Sequence, residues 1–273
     1  VSGIVYLSWD SAREVKSEKT SSRIVPGASM AELVLPDGTK VMLDREMNRA
    51  LEEGVRNSGD TLNYTEVVSG GLQDSCEIYH TLRVPRGGEY TLVLADGTTV
   101  YLNAESELRF PKQFRGKKRK VYLTGEGYFD VQRNEKQPFI VEAQQVAIRV
   151  LGTSFGVRAY TREVNVLTTL VQGRVNVEAD GQQVELNPGQ QADFNRGNDR
   201  LTVAEVDVEQ YVGWKDGRLV FDNKPLEFIL EELGRWYSFD VFYTNKELKE
   251  IPYSLNIKKH EDIAHVLKFI ERT

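Results

Sequence analysis

The residue types that could carry chemistry are few in this 273-residue chain, and they are poorly spaced for it. The three histidines are His80, His260 and His265. His260 and His265 stand five apart, on different sides of any helix, whereas an HExxH zinc site needs a spacing of four. His80 lies in a strand-like run near Glu77, and nothing around it suggests a metal set. Cys76 is the single cysteine, so the chain has no internal disulfide; an inert, partly buried thiol is expected. Glu126, bracketed by Gly125 and Gly127, is the one acid in a special setting. It lacks the second acid or base that hydrolysis needs, so it is expected at a bend or opposite an arginine across a sheet. No Walker loop, G-x-S-x-G elbow or cysteine pair occurs. The sequence predicts no enzyme, no cofactor and no metal.

Composition narrows the classes further. Forty per cent hydrophobic and 28% charged residues are ordinary for a globular protein, and a net charge of −6 argues against a dedicated nucleic-acid or anionic-membrane surface. Lys112–Lys120 holds six basic residues in nine, expected to be a solvated hairpin tip. No run of eighteen apolar residues is present to span a bilayer, and Gly3–Trp9 is too short for a signal-peptide core.

The elements are mostly strands. In Val121–Tyr160, the sets Val121/Leu123, Phe129/Val131, Val146/Ile148/Val150 and Phe155/Val157/Ala159 alternate at period two. Gly125, Gly127 and Gly152 interrupt these runs, where bends or close backbone approach are expected. Val25–Leu43 aligns without gaps on Val84–Leu102, with ten of nineteen positions identical. Each copy reads as a hairpin around Asp-Gly, expected as a type I′ turn, with Gly38 and Gly97 equivalent. Ala179–Leu186 is a fainter third echo. Asp44–Glu53 could form a helical turn, and Thr61–Val68 and Glu77–Val84 read as strands.

After Tyr211 the period changes. Arg218–Asp222 reads as a strand, Asn223 as an N-cap and Pro225 as a first-turn residue. Leu226, Ile229, Leu230, Leu233 and Trp236 form one apolar helix face. Phe239–Tyr243 and Tyr253–Ile257 read as strands, and Ile263, Val266, Leu267 and Ile270 mark a second helix. The order is β-α-β then β-α, a further strand being needed to complete the second unit. The fold expected is mainly β: residues 1–23 a tether, 24–210 an all-β hairpin-repeat domain (sandwich, or roll or solenoid of hairpins), and 215–273 a small α+β domain.

The pieces Leu123–Val131, Pro138–Ala143, Ile148–Tyr160, Leu170–Val177 and Leu186–Ala192 occur in an order that closely resembles the periplasmic core of FecR-type anti-sigma regulators. Gly127 stands where that family usually has Ala, and Gly156 where it often has Asn. The C-terminal stretch NKPLEFILEELGRWYSFDVFY resembles the short signalling domain that begins TonB-dependent transporters and secretins, in the version closing FecR-like proteins of Bacteroidetes.

The resemblance implies a periplasmic, signal-receiving portion of a single-pass inner-membrane anti-sigma factor, with its transmembrane helix and cytoplasmic sigma-binding segment outside this chain. The implied partners are the signalling domain of an outer-membrane TonB-dependent transporter and, through that missing segment, an extracytoplasmic-function sigma factor. Small β-α-β domains expose sheet edges to which a partner strand can add. On that ground the expected docking surface is Leu219, Val220, Phe221, Asp222 and Asn223, with Phe239, Val241, Tyr243 and Thr244. The alternative from a different class is a carbohydrate-binding β module using the abundant Tyr and Phe, and a third reading makes the β unit a stiff spacer.

Overall fold

The structure, a computed structural model, describes residues 3–7, 24–67 and 77–272. Cys76, Val68 and most of the expected tether lie outside the described residues. Two long sheets stack around one core. The first runs, in spatial order, through strands 40–44, 28–34, 79–84, 106–111, 119–123, 139–143, 146–150, 175–179 and 182–186. The second runs through 48–52, 55–58, 61–63, 88–93, 99–102, 125–130, 154–159, 165–172, 190–195 and 200–205. The chain is mainly β with a small C-terminal α+β region, as expected.

The alternation seen in the sequence is what fills the space between the sheets. Val146, Ile148 and Val150 are buried while Arg149 is exposed, and Phe155, Val157 and Ala159 are buried opposite Phe129 and its neighbours. One strand belongs to both layers. Arg119–Asp130 pairs with Phe139–Ala143 through its first half and with Ser154–Ala159 through its second. The crossing falls at Gly125, which sits at φ +94, and a Cβ there would lie 2.5 Å from the Ser106 hydroxyl. Only glycine meets both the conformation and the clearance.

The two aligned segments form hairpins with matching turns, placed in opposite sheets. In the first, Gly38 donates its N–H to Leu35 O and Leu35 donates to Thr39 O, each at 2.9 Å. In the second, Gly97 donates to Leu94 O and Leu94 to Thr98 O, again at 2.9 Å. Gly38 and Gly97 have φ of +86 and +84, while Asp37 and Asp96 are absent from the positive-φ residues. These are therefore three-residue loops closed by a left-handed glycine, not the expected type I′ turns, which need positive φ at both central residues. The faint third echo does adopt that form: Asp180 and Gly181 sit at φ +45 and +72 between the paired Ala179 and Gln182.

Two other expectations change. Asp44–Glu53 contains no helix; Asn48–Glu52 is a strand paired with Val55–Ser58, turned by Gly54 at φ +75. Sheet pairing overrides its helical propensity. The basic stretch is exposed at Gly116, Lys117 and Lys118 and partly so at its other residues except Arg119. Arg119 is buried, donating to Asp96 Oδ2 at 2.6 Å and to the carbonyls of Gln132 and Gln137 at 2.8 Å.

Beyond the second sheet, helix α1 (Glu209–Val212) and a 3₁₀ turn (Gly213–Asp216) lead to strand Arg218–Pro225, helix α2 (Leu226–Tyr237), strand Phe239–Tyr243, strand Pro252–Lys258 and helix α3 (Ile263–Arg272). These elements have their own core, including all five residues of the predicted α2 face. Arg218–Pro225 pairs antiparallel with Pro252–Lys258, and Phe239–Tyr243 pairs in parallel with Gly3–Leu7.

Candidate docking surface and the buried clamp behind it

The strands expected to dock a partner exist, but their side chains divide in two. Leu219, Phe221 and Phe239 are buried in the C-terminal core and can offer a partner only their backbone. Val220, Val241 and Tyr243 are half-buried, and Asp222, Asn223 and Thr244 are exposed. Asn223 is not the helix N-cap. It sits at φ +51 in a bulge between Phe221 and Lys224 and donates its N–H to Ser254 Oγ at 2.9 Å, while Pro225 takes the cap position. Asparagine tolerates the left-handed region better than most residues, so here it serves the strand rather than the helix. Of the histidines, His265 lies on α3 and His260 in the turn before it, edge-on to Trp236.

The edge of Phe239–Tyr243 carries a five-residue parallel strand, Gly3↔Phe239 through Leu7↔Tyr243. A groove of about 370 Å³ runs beside the same strand, lined by Val241, Tyr243 and Lys249 and by Glu227 and Glu231 of α2. Lys249 pairs with Glu227 at 2.5 Å and lies over the Tyr243 ring at 4.9 Å.

How this unit sits on the β body was not legible beforehand. Its apolar side meets the outer face of the second sheet, where Tyr101, Tyr128 and Val171 pack into its core. Gly156 is small because Val212 lies against it: a Cβ would come within 2.9 Å of Val212 Cγ1. The end of α2 is seated on the starts of both related hairpins. Gly27 lies so close to the Trp236 ring that a Cβ would be 2.6 Å from Cε3. Gly87 donates its N–H to Arg235 O at 2.7 Å. Arg86 donates to Gly234 O at 2.8 Å, to Phe239 O, and to Asp240 Oδ1 at 2.6 Å. The Arg235 carbonyl at the helix end is thus satisfied by the β body, Gly234 O accepts from Arg86 as well as from the Ser238 N–H, and the guanidinium complements the helix dipole.

Charged side chains close the rest of the interface. Glu126 stands directly opposite Arg158 in register, with 3.7 Å between them, which is the cross-sheet arginine pairing anticipated for it. Arg158 reaches further, to Glu163 at 2.6 Å and to Glu232 of α2 at 2.8 Å. Arg235 also binds Glu232 and Glu163. Lys259, 1% exposed, donates to Glu89 at 2.6 Å and Asn103 at 3.2 Å, with its ammonium 4.0 Å from the Trp236 ring and 5.2 Å from that of Trp214. Burial pulls its pKa below the usual lysine value, against the pull of Glu89. Pairs separated by 74 and 170 residues in sequence give no local signal.

The described residues contain no group of three or more His, Cys, Asp or Glu able to hold a metal. His80 is a core residue, accepting or donating to the Tyr64 hydroxyl at 2.7 Å, and burial lowers its pKa. The aromatic pair on the exposed face of the first sheet, Tyr79 and Tyr122, is covered by Arg109, at 4.2 and 5.2 Å, which leaves those rings poorly placed to stack on a sugar. No helix is long and apolar enough to cross a membrane among the described residues.

Comparison with known proteins agrees with this geometry. Residues 80–176 match the family profile "FecR protein" and residues 218–273 the profile "FecR, C-terminal", more than half of the chain together. Among solved structures the chain is similar to a candidate anti-sigma factor from Parabacteroides distasonis ATCC 8503, in crystal structures at 1.65 and 2.50 Å resolution. The identity is 28% and the TM-score 0.66 in both; the match covers 70% of this chain and 90% of the other in the first, 71% and 91% in the second. No curated protein matches. The chain belongs to the FecR family of anti-sigma factors, which are regulators of transcription and not enzymes.

Proposed function

We infer that the chain is the periplasmic, signal-receiving portion of a membrane-anchored anti-sigma factor, and that its C-terminal unit receives the signalling domain of a TonB-dependent outer-membrane transporter. Docking then controls release of an extracytoplasmic-function sigma factor held by a cytoplasmic segment outside this chain. The observation that carries the docking surface is the parallel pairing of Gly3–Leu7 along Phe239–Tyr243, because an edge that accepts five residues in register has the geometry for strand addition, the partner strand taking the place of Gly3–Leu7. Main-chain hydrogen bonds supply affinity in that mode, and half-buried side chains such as Val241 and Tyr243 supply selectivity. The contact would be transient, with roughly 1,200 Å² or less buried in total. Residues 24–210 act as the body that holds this unit in place, and 215–273 as the receiving unit.

The test is titration calorimetry with the signalling domain of a TonB-dependent transporter from the same organism. Asp222→Lys and Thr244→Lys are exposed changes that leave the core intact, and each is expected to weaken binding at least tenfold. Unchanged affinity in both would move the docking surface elsewhere.

A further inference from the structure

The clamp between the two units does not balance in charge. Arg158, Arg235 and Lys259 face four carboxylates, Glu89, Glu126, Glu163 and Glu232, besides the more exposed Glu105 that Arg235 meets at 3.4 Å, so acids outnumber cations. The short contacts go to three of those four: Lys259 to Glu89 at 2.6 Å, Arg158 to Glu163 at 2.6 Å and to Glu232 at 2.8 Å. Glu126 is left with Arg158 at 3.7 Å and a hydrogen bond from Asn103 Nδ2 at 2.7 Å, although it is only 5% exposed. A buried carboxylate without a close cation is the costliest member of such a cluster to ionise.

We propose that Glu126 carries a proton while the C-terminal unit is seated on the β body and loses it when the seat opens, so that seating takes up one proton.

The groups around Glu126 are consistent with this. Burial pushes its carboxyl from the ordinary 4.5 up to about 7; Arg158 opposes that shift, and Glu232 and Glu163 add to it. Facing it from the β body are Asn103, Ser106, Arg158, Glu163 and Tyr160, the last kept neutral by burial and donating its hydroxyl to Ala104 O. Facing it from the C-terminal unit are Glu232 and Lys259, with Arg218 and Lys224 lining a small cavity of about 40 Å³ beside it. Glu232 works in the opposite sense. Burial disfavours its charge, yet Arg158 and Arg235 hold its pKa below the usual value, so its contribution is lost only in more acidic solution.

The sign follows from Glu126 being raised in the seated form. Below pH 4.5 the acid is protonated whether the seat is open or closed, and its contribution to seating is full. Between 4.5 and about 7 only the seated form holds the proton, so seating weakens as pH rises. Above about 7 both forms are ionised and the dependence levels off.

The Gly87 amide, which donates to Arg235 O across the seat, reports opening directly. Its hydrogen-exchange protection factor, corrected for intrinsic exchange, is expected to fall about tenfold per pH unit between roughly pH 5 and 6.5 for one linked proton. In Glu126→Gln, an uncharged mimic of the protonated acid, protection should stay high and independent of pH. His260→Gln, removing the exposed histidine beside Trp236, should retain the wild-type slope. A flat wild-type profile, or the same slope in Glu126→Gln, would overturn the proposal. Should Glu126→Gln not fold, the carboxyl ¹³C shift of Glu126 in the unmodified chain decides it: a midpoint near 7 supports the proposal, and one near 4.5 refutes it.

Discussion

The outer faces of the two sheets carry the same ingredients and use them differently. On the first sheet, Tyr79 and Tyr122 flank Arg109, which sits 4.2 and 5.2 Å from their rings and belongs to the same sheet. On the second, Tyr101 and Tyr128 face each other across paired strands, and the cation over Tyr128 is Lys215, at 4.8 Å, from the C-terminal unit. A face that supplies its own cation has satisfied its rings and can remain in water. On the second face Arg158 lies over Tyr160, at 5.1 Å, so the rings of Tyr101 and Tyr128 are left for another unit to cover. The arginines differ in the same way: Arg109 stays at the surface, while Arg158 is 7% exposed and holds carboxylates from both units.

That contrast predicts unequal costs. Arg158→Ala removes the guanidinium that Glu126, Glu163 and Glu232 share in a buried interface, leaving Arg235 alone to hold the last two, and urea denaturation should show a loss of about 3–5 kcal/mol. Gly156→Ala drives a methyl group into Val212 and should cost about 1–3 kcal/mol, largely recovered in the double variant with Val212→Ala. Gly38→Ala and Gly97→Ala each force alanine into a left-handed position with nothing nearby to clash, for roughly 1–2 kcal/mol apiece. Equal values for the two glycines would sharpen the equivalence of the hairpins, whereas clearly unequal ones would break it. Arg109→Ala gives up only exposed cation–π contacts and should cost less than about 1 kcal/mol in the same experiment. A loss at Arg109 as large as that at Arg158 would erase the distinction between the faces.

What the sequence reveals here is what depends on neighbours in the chain. Period-two alternation marks Val146, Ile148 and Val150 as inward, and the helical stripe from Leu226 to Trp236 marks the core side of α2, because burial on one face is written locally. The paired glycines around Glu126 mark the strand that changes sheets. The turn type at Asp37-Gly38 was not legible, since the same dipeptide closes a three-residue loop there and a two-residue loop at Asp180-Gly181; pairing register decides between them. Asn48–Glu52 has a helical composition but a neighbour strand to pair with. The clamp is the least legible feature. Lys259 and Glu89 meet only because the C-terminal unit folds back, and Val-Pro stretches that look like ordinary turn formers lead into Gly27, Arg86 and Gly87, the seat of α2.

Hydrogen–deuterium exchange of the chain, alone and with the transporter signalling domain, tests the central claim most directly. Added protection is expected in residues 218–225 and 239–244, with the exposed face around Tyr79, Arg109 and Tyr122 unchanged. Protection gathered on that tyrosine–arginine face, with both C-terminal strands exchanging as before, would contradict the account.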